Sequence, residues 1–118
     1  MSIYDKVKDY DAERRMKVAK TILKQLGGAG FVAMVGAKDL VVGESSLSMR
    51  IGRNSSNSNY LKIQLTPSDV YEMEFCKLTK LGEKKSVKEY GYLHWSCLTD
   101  VFTEHTGMYT DFNLCKIS

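Results

Sequence analysis

Apolar residues recur at helical spacing between Asp11 and Leu26. Met16, Ala19, Leu23 and Leu26 form one stripe, widened by Ile22, while Arg14, Arg15, Lys17, Lys20 and Lys24 take most of the remaining surface. That is the pattern of an amphipathic helix. Asp9 or Asp11 is placed to cap its start, and Gly27 or Gly28 to end it. Ser2-Ile-Tyr-Asp5 has capping-box spacing and is followed by Val7 and Tyr10. A weaker helical segment is therefore expected ahead of the main one, with a break near Asp9.

After Gly30 the period changes to two. Phe31, Ala33 and Val35 alternate with Val32 and Met34, and both sets are apolar, which predicts a central strand covered on both faces. Leu40 to Val42 would continue it past a turn at residues 36–39. Leu47, Met49 and Ile51 alternate with Ser48 and Arg50, predicting a half-buried strand. Residues 52–59 are turn formers without an apolar side chain and predict a loop. Tyr60 to Thr66 returns as a strand, with Leu61, Ile63 and Leu65 opposite Lys62 and Gln64. Beyond a turn at residues 67–69, Val70 to Leu78 predicts a fourth strand, with Tyr71, Met73 and Phe75 inward and Glu72 and Glu74 outward. Lys80 to Lys88 reads as a polar connection. Tyr92 to His105 resumes helical spacing through Leu98, Val101 and Phe102, and Thr106-Gly107 ends it. Tyr109, Phe112 and Leu114 in the tail are expected to pack back on the domain.

The expected class is α+β: a helix, a four-stranded mainly antiparallel sheet and a second helix, with the helices on one face. The 118 residues suit one domain spanning the chain, with residues 1–10 a loosely attached segment. A 43% hydrophobic and 26% charged composition is globular. No apolar run approaches the roughly 20 residues of a membrane span, so no membrane partner is expected. The charged N-terminus lacks a signal peptide's apolar stretch, which points to a location inside the cell. Cys76, Cys97 and Cys115 are widely spaced and unpaired in pattern, as reduced cytosolic thiols would be.

Several chemistries lack their signatures. His94 and Cys97 lie three apart, but a zinc site needs three or four converging ligands, so no metal is expected. The glycines at 27–30 follow a helix and open a strand, the reverse of a phosphate-binding fingerprint. Only His94 and His105 are available as bases, and no nucleophile motif surrounds a serine or cysteine. Glu72 and Glu74 read as cross-strand partners of Lys62 or Arg50 rather than an acid–base pair. No enzymatic activity and no cofactor are expected.

Two binding classes remain. Arg50, Arg53, Tyr60, Lys62 and Gln64 would share the solvent face and tip of one hairpin, joined by an Asn/Ser loop able to contact phosphates. Single-strand binders pair such a basic surface with an aromatic on which bases stack. Lys80, Lys84, Lys85 and Lys88 form a second basic patch and the first helix a third. The net charge of +3 is only a weak lean towards anionic partners. Protein binding would instead use Tyr90, Tyr92, Trp95, Tyr109 and Phe112, which serve equally well as core. An uncovered edge strand would add the option of self-association.

Thr21-Ile-Leu-Lys-Gln-Leu-Gly-Gly28, Phe31-Val-Ala-Met-Val-Gly-Ala-Lys38, Asn59-Tyr-Leu-Lys-Ile-Gln-Leu65, Asp69-Val-Tyr-Glu-Met-Glu-Phe75 and Phe102-Thr-Glu-His-Thr-Gly-Met-Tyr109 carry a further signal. Together they resemble a family of small uncharacterised bacteriophage and prophage proteins, over nearly the whole chain after the first dozen residues. Ala29 departs from the pattern, which often has a polar residue there. The resemblance implies a phage-derived gene expressed in bacterial cytoplasm. It also implies either a nucleic-acid binder or a protein-binding inhibitor or accessory factor acting on a host or phage complex. It implies no catalytic residue.

Overall fold

The computed structural model describes residues 3–110, with side chains from residue 12 onward. The proposed cap at Ser2, the side chains of Val7 and Tyr10, and Phe112, Leu114 and Cys115 lie outside the described residues. The first helix, α1, runs from Ile3 to Leu26 without the break expected near Asp9. Ala19, Ile22 and Leu26 are buried and Leu23 is half-buried, whereas Met16 is 46% exposed. The buried stripe therefore begins one turn later than the sequence pattern suggests.

Ala29–Val35 is a second helix, α2, not the predicted strand. A run in which every residue is apolar or glycine satisfies periods of two and 3.6 alike, and burial decides between them. Phe31 and Val35, four apart, are buried, while Ala33 between them is exposed. Gly36 ends α2 in the left-handed region at φ 65°, with its N–H donating to the Val32 carbonyl. The chain bends by 65° between α1 and α2.

Five strands follow: β1 (Lys38–Val42), β2 (Ser46–Arg50), β3 (Tyr60–Leu65), β4 (Tyr71–Leu78) and β5 (Lys84–Leu93). They form one antiparallel sheet in chain order. The expected count was four. Loss of the strand at residues 31–35 leaves β1 to begin only at Lys38, and most of the presumed polar connection is β5. That strand escapes a hydrophobicity pattern because it is an edge: only Tyr90 and Leu93 in it are even half-buried.

The C-terminal helix is shorter than predicted. His94 accepts the Ser96 N–H and opens a 3₁₀ turn at Trp95–Cys97, and helix α3 spans Leu98–Thr106. Gly107 closes it in the left-handed region, as expected from its position. Leu98 and Phe102 are buried from α3, as Phe31 and Val35 are from α2. With α1 they cover the sheet face made of Leu47, Met49, Leu61, Ile63, Tyr71, Met73 and Phe75. Phe102 sits between Phe31, edge-on at 5.1 Å, and Phe75 at 6.1 Å. Truncating such a ring typically costs about 3–5 kcal/mol. Among the described residues, no single helix is long and apolar enough to cross a membrane.

Candidate functional site

Because side chains alternate along a strand, burying Leu47, Met49, Leu61 and Ile63 turns Ser48, Arg50, Tyr60, Lys62 and Gln64 to the opposite face. All helix-borne core residues lie on the other side, so this outer face is built from strand side chains alone among the described residues. Strand register sets its rows. One row reads Lys38, Arg50, Tyr60, Cys76 and Ser86, and the next Val41, Ser48, Lys62, Glu74 and Glu89. A third holds Ser46, Gln64 and Glu72.

The structure therefore brings together Arg50, Tyr60, Lys62 and Gln64, four of the five residues singled out in the sequence. Arg53 is exposed at the start of the following loop, beyond the end of β2. Two cations not expected there join the first row. Lys38 stands opposite Arg50 across β1 and β2, and the Lys84 ammonium lies over the Tyr60 ring, 5.0 Å from its centroid. Arg50 is paired through Nε with the Asp39 carboxylate at 3.5 Å, and both side chains are largely exposed. Such a pair is worth well under about 1 kcal/mol, so Arg50 remains available to a phosphate.

The acidic residues are arranged otherwise than expected. Glu74 does stand opposite Lys62, but Glu72 faces Gln64, and Arg50 has Lys38 and Tyr60 as its cross-strand neighbours. Glu72, Glu74 and Glu89 gather on the far side of a surface groove of about 450 Å³, with Lys62 and Gln64 opposite and Gly91 among its lining. Burial raises the Glu74 carboxyl, but hydrogen bonds from Glu89, Cys76 and Ser86 and the nearby Lys84 outweigh it and leave it below its ordinary value. The hydrogen bond to Glu74 and repulsion from its charge hold Glu89 above its ordinary value. The face is zoned, with cations around Tyr60 at one end and carboxylates at the other.

The Asn/Ser loop at residues 52–59, read from the sequence as able to contact phosphates, keeps Arg53, Ser55 and Asn57 exposed. Several of its side chains also hold it down. Asn54 donates to the Gly52 and Ser58 carbonyls at 2.9 and 2.7 Å, and Ser55 to the Thr106 carbonyl at 3.1 Å. Asn59 bonds both the carbonyl and the N–H of Leu78, at 3.0 and 2.6 Å. Ser58 Oγ lies 3.2 Å from His105 Nε2, and the Tyr90 hydroxyl lies 3.2 Å from His105 Nδ1. The imidazole is stacked on Phe75 at 4.0 Å. Desolvation, then the Lys88 charge, lower its pKa below the ordinary value. Although Ser58 and His105 have nucleophile–base spacing, Ser58 is only 2% exposed and gives a substrate no approach. The cluster ties loop, α3 and β5 together.

His94, considered with Cys97 as a ligand pair, instead caps the 3₁₀ turn through Nδ1. Among the described residues, no three His, Cys, Asp or Glu side chains converge as a metal set. The C-terminal aromatics divide. Tyr90 packs edge-on against Phe75 at 5.9 Å, while Tyr92 is 92% and Trp95 54% exposed. No protein-family model, no curated protein and no solved structure matches the chain.

Proposed function

We propose that the protein is a non-enzymatic nucleic-acid-binding domain that contacts its ligand across the outer sheet face, along the row containing Lys38, Arg50 and Tyr60 and extended by Lys84. The observation that carries this reading is one row, on a sheet face that no described helix covers, that aligns Lys38, Arg50 and Tyr60 and is joined by the Lys84 ammonium over the Tyr60 ring. Cationic side chains that neutralise phosphates supply most sequence-independent affinity. An aromatic within a basic surface is the usual companion of such contacts. Lys62 and Gln64 border the row, and Glu72, Glu74 and Glu89 repel phosphate beyond them, which confines the path to one end of the face. A phage or prophage protein working in bacterial cytoplasm is the setting that the motif resemblance suggests.

Fluorescence anisotropy with labelled single- and double-stranded oligonucleotides tests the proposal. Binding should weaken steeply with salt and be lost in Arg50→Glu combined with Lys62→Glu. Each phosphate contact removed lowers the slope of log K against log salt by about 0.7–0.9. Absence of binding at tens of micromolar protein in low salt would sink the proposal.

A second reading rests on Tyr92 and Trp95, whose exposure is that of aromatic anchors for a protein surface. It expects a stoichiometric partner in nuclease-treated host lysate, lost in Tyr92→Ala with Trp95→Ala. A partner that survives both substitutions counts against that surface.

A further inference from the structure

Between β4 and β5 the chain makes a tight, hydrogen-bonded turn. The Thr79 N–H donates to the Glu83 carbonyl at 2.8 Å, and the Gly82 N–H to the Thr79 carbonyl at 3.0 Å. The Glu83 N–H reaches Thr79 Oγ1 at 3.1 Å, and Gly82 takes φ +87°. At its root, Asn59 clamps Leu78 through both backbone groups. This rigid turn presents Leu81, which is 91% exposed. Leucine is not a residue that a turn requires, and folding gains nothing from its side chain here.

The surroundings of Leu81 are cationic. Lys77 and Lys85 face each other across the ribbon, Lys84 stands opposite Leu78, and Lys80 precedes Leu81 in the turn. Lys84 also lies over Tyr60, so the tip continues directly from the basic row.

We infer that Leu81 is a wedge that enters a base step of double-stranded nucleic acid from the minor groove and bends it, while the lysines beside it and the sheet row hold the phosphates. The inference rests on the nucleic-acid reading above and sharpens it to a duplex. Tyr60 is half-buried in the row with the Lys84 ammonium over its ring, whereas Leu81 is almost wholly exposed. What projects from this end of the surface is charge and one apolar tip. Architectural duplex binders combine phosphate contacts with inserted apolar side chains in this way. An anionic membrane would also attract the lysines, but insertion there scales with apolar area. Leu81 is the single apolar side chain in residues 79–85.

The test is end-to-end energy transfer on a short duplex labelled at both ends, with a flexible TA step at its centre. Anisotropy is measured in parallel on the same duplex, on its single strands and on vesicles rich in phosphatidylserine. Wild-type protein should prefer the duplex and raise the transfer, as expected for a bend of roughly 20–90°. Leu81→Ala, at an exposed position, should fold normally, keep the salt dependence of binding and lose the rise in transfer. Leu81→Met should retain it. Single strands bound as tightly as duplex, or a bend unchanged in Leu81→Ala, would overturn the inference while leaving nucleic-acid binding intact. Leu81-dependent binding to vesicles with none to duplex would overturn it in favour of a membrane. Failure of every oligonucleotide to bind would overturn the broader reading as well.

Discussion

Replacing Gly52 by alanine should destabilise the fold out of proportion to the size of a methyl group. The Gly52 N–H donates to the Val35 carbonyl at 2.8 Å, joining the start of the 52–59 loop to the end of α2. A Cβ at Gly52 would lie 2.8 Å from that same oxygen and 3.7 Å from its carbon. The obstacle is backbone rather than a side chain that can swing away. It is also held from behind, since Gly36 and Ala37 both donate to the Val32 carbonyl. Relief requires moving either α2, with Phe31 and Val35 in the core, or the loop pinned by Asn54 and Ser55. Overpacking of this kind costs about 1–3 kcal/mol, and weakening the hydrogen bond adds about 0.5–1.5 kcal/mol. For a urea slope of about 2 kcal/mol/M, the unfolding midpoint falls by about 1–2 M. Gly30→Ala is the internal control. It lies inside α2 with nothing within 4 Å of a built Cβ, and alanine in a helix should stabilise by about 0.5–1 kcal/mol. Equal midpoints for wild type and Gly52→Ala would refute the close packing of loop on helix. Marked destabilisation by Gly30→Ala would refute the helical assignment of residues 29–35.

Other predictions address the buried groups. Burial, then Lys88, hold His105 below its ordinary value of 6.5, so the unfolded chain binds the proton more readily. Stability should be full above pH 6.5 and decline as pH falls through it, a slope that thermal melts should find reduced in His105→Gln. An unchanged slope would place the titrating group elsewhere. Cys76 is 1% exposed, and burial, followed by the Glu74 charge, pushes its thiol up to about 11. Native protein should therefore leave Cys76 unmodified by iodoacetamide at neutral pH, and unfolding in urea should expose it. Rapid native labelling at Cys76, located by peptide mapping, would contradict its burial. Gly107 sits at φ +76° with a built Cβ 3.1 Å from Ser55 Oγ. Gly107→Ala should cost about 1–2 kcal/mol in chemical denaturation, and a neutral result would show that α3 can end otherwise.

How much of this was legible in the sequence follows from where each element lies. The later part of α1 and strands β2 to β4 place apolar residues on one side and mostly polar ones on the other, so their alternation reports their structure directly, even though Ser46, Ser48 and Cys76 on the polar side are buried as well. Residues 31–35 carry apolar side chains on every side, and a uniform run has no period to read. β5 failed for the opposite reason: as an edge strand it buries too little to leave a pattern. One signal for it was present, since Thr79-Lys-Leu-Gly82 has the length and glycine of a short hairpin connection. The candidate site inherits these limits. Arg50, Tyr60, Lys62 and Gln64 share a face because their positions differ by even numbers along strands that were recognised. Lys84 and Glu89 lie on a strand that the pattern does not reveal, and Lys38 in a segment that reads as a turn ahead of the strand residues Leu40 to Val42, so neither the full basic row nor its acidic border is visible. The 52–59 loop was recognised as a loop, but composition alone does not tell side chains that reach a ligand from those that bond their own backbone.

The central claim concerns one face of the sheet, and amide chemical-shift mapping on ¹⁵N-labelled protein during titration with a short oligonucleotide in low salt tests it most directly. The predicted result is a contiguous set of shifted amides around Lys38, Arg50, Tyr60 and Lys84, reversed by added salt, with little change along the lysine face of α1. Shifts confined to α1, or to Tyr92 and Trp95, with the sheet row silent would contradict it.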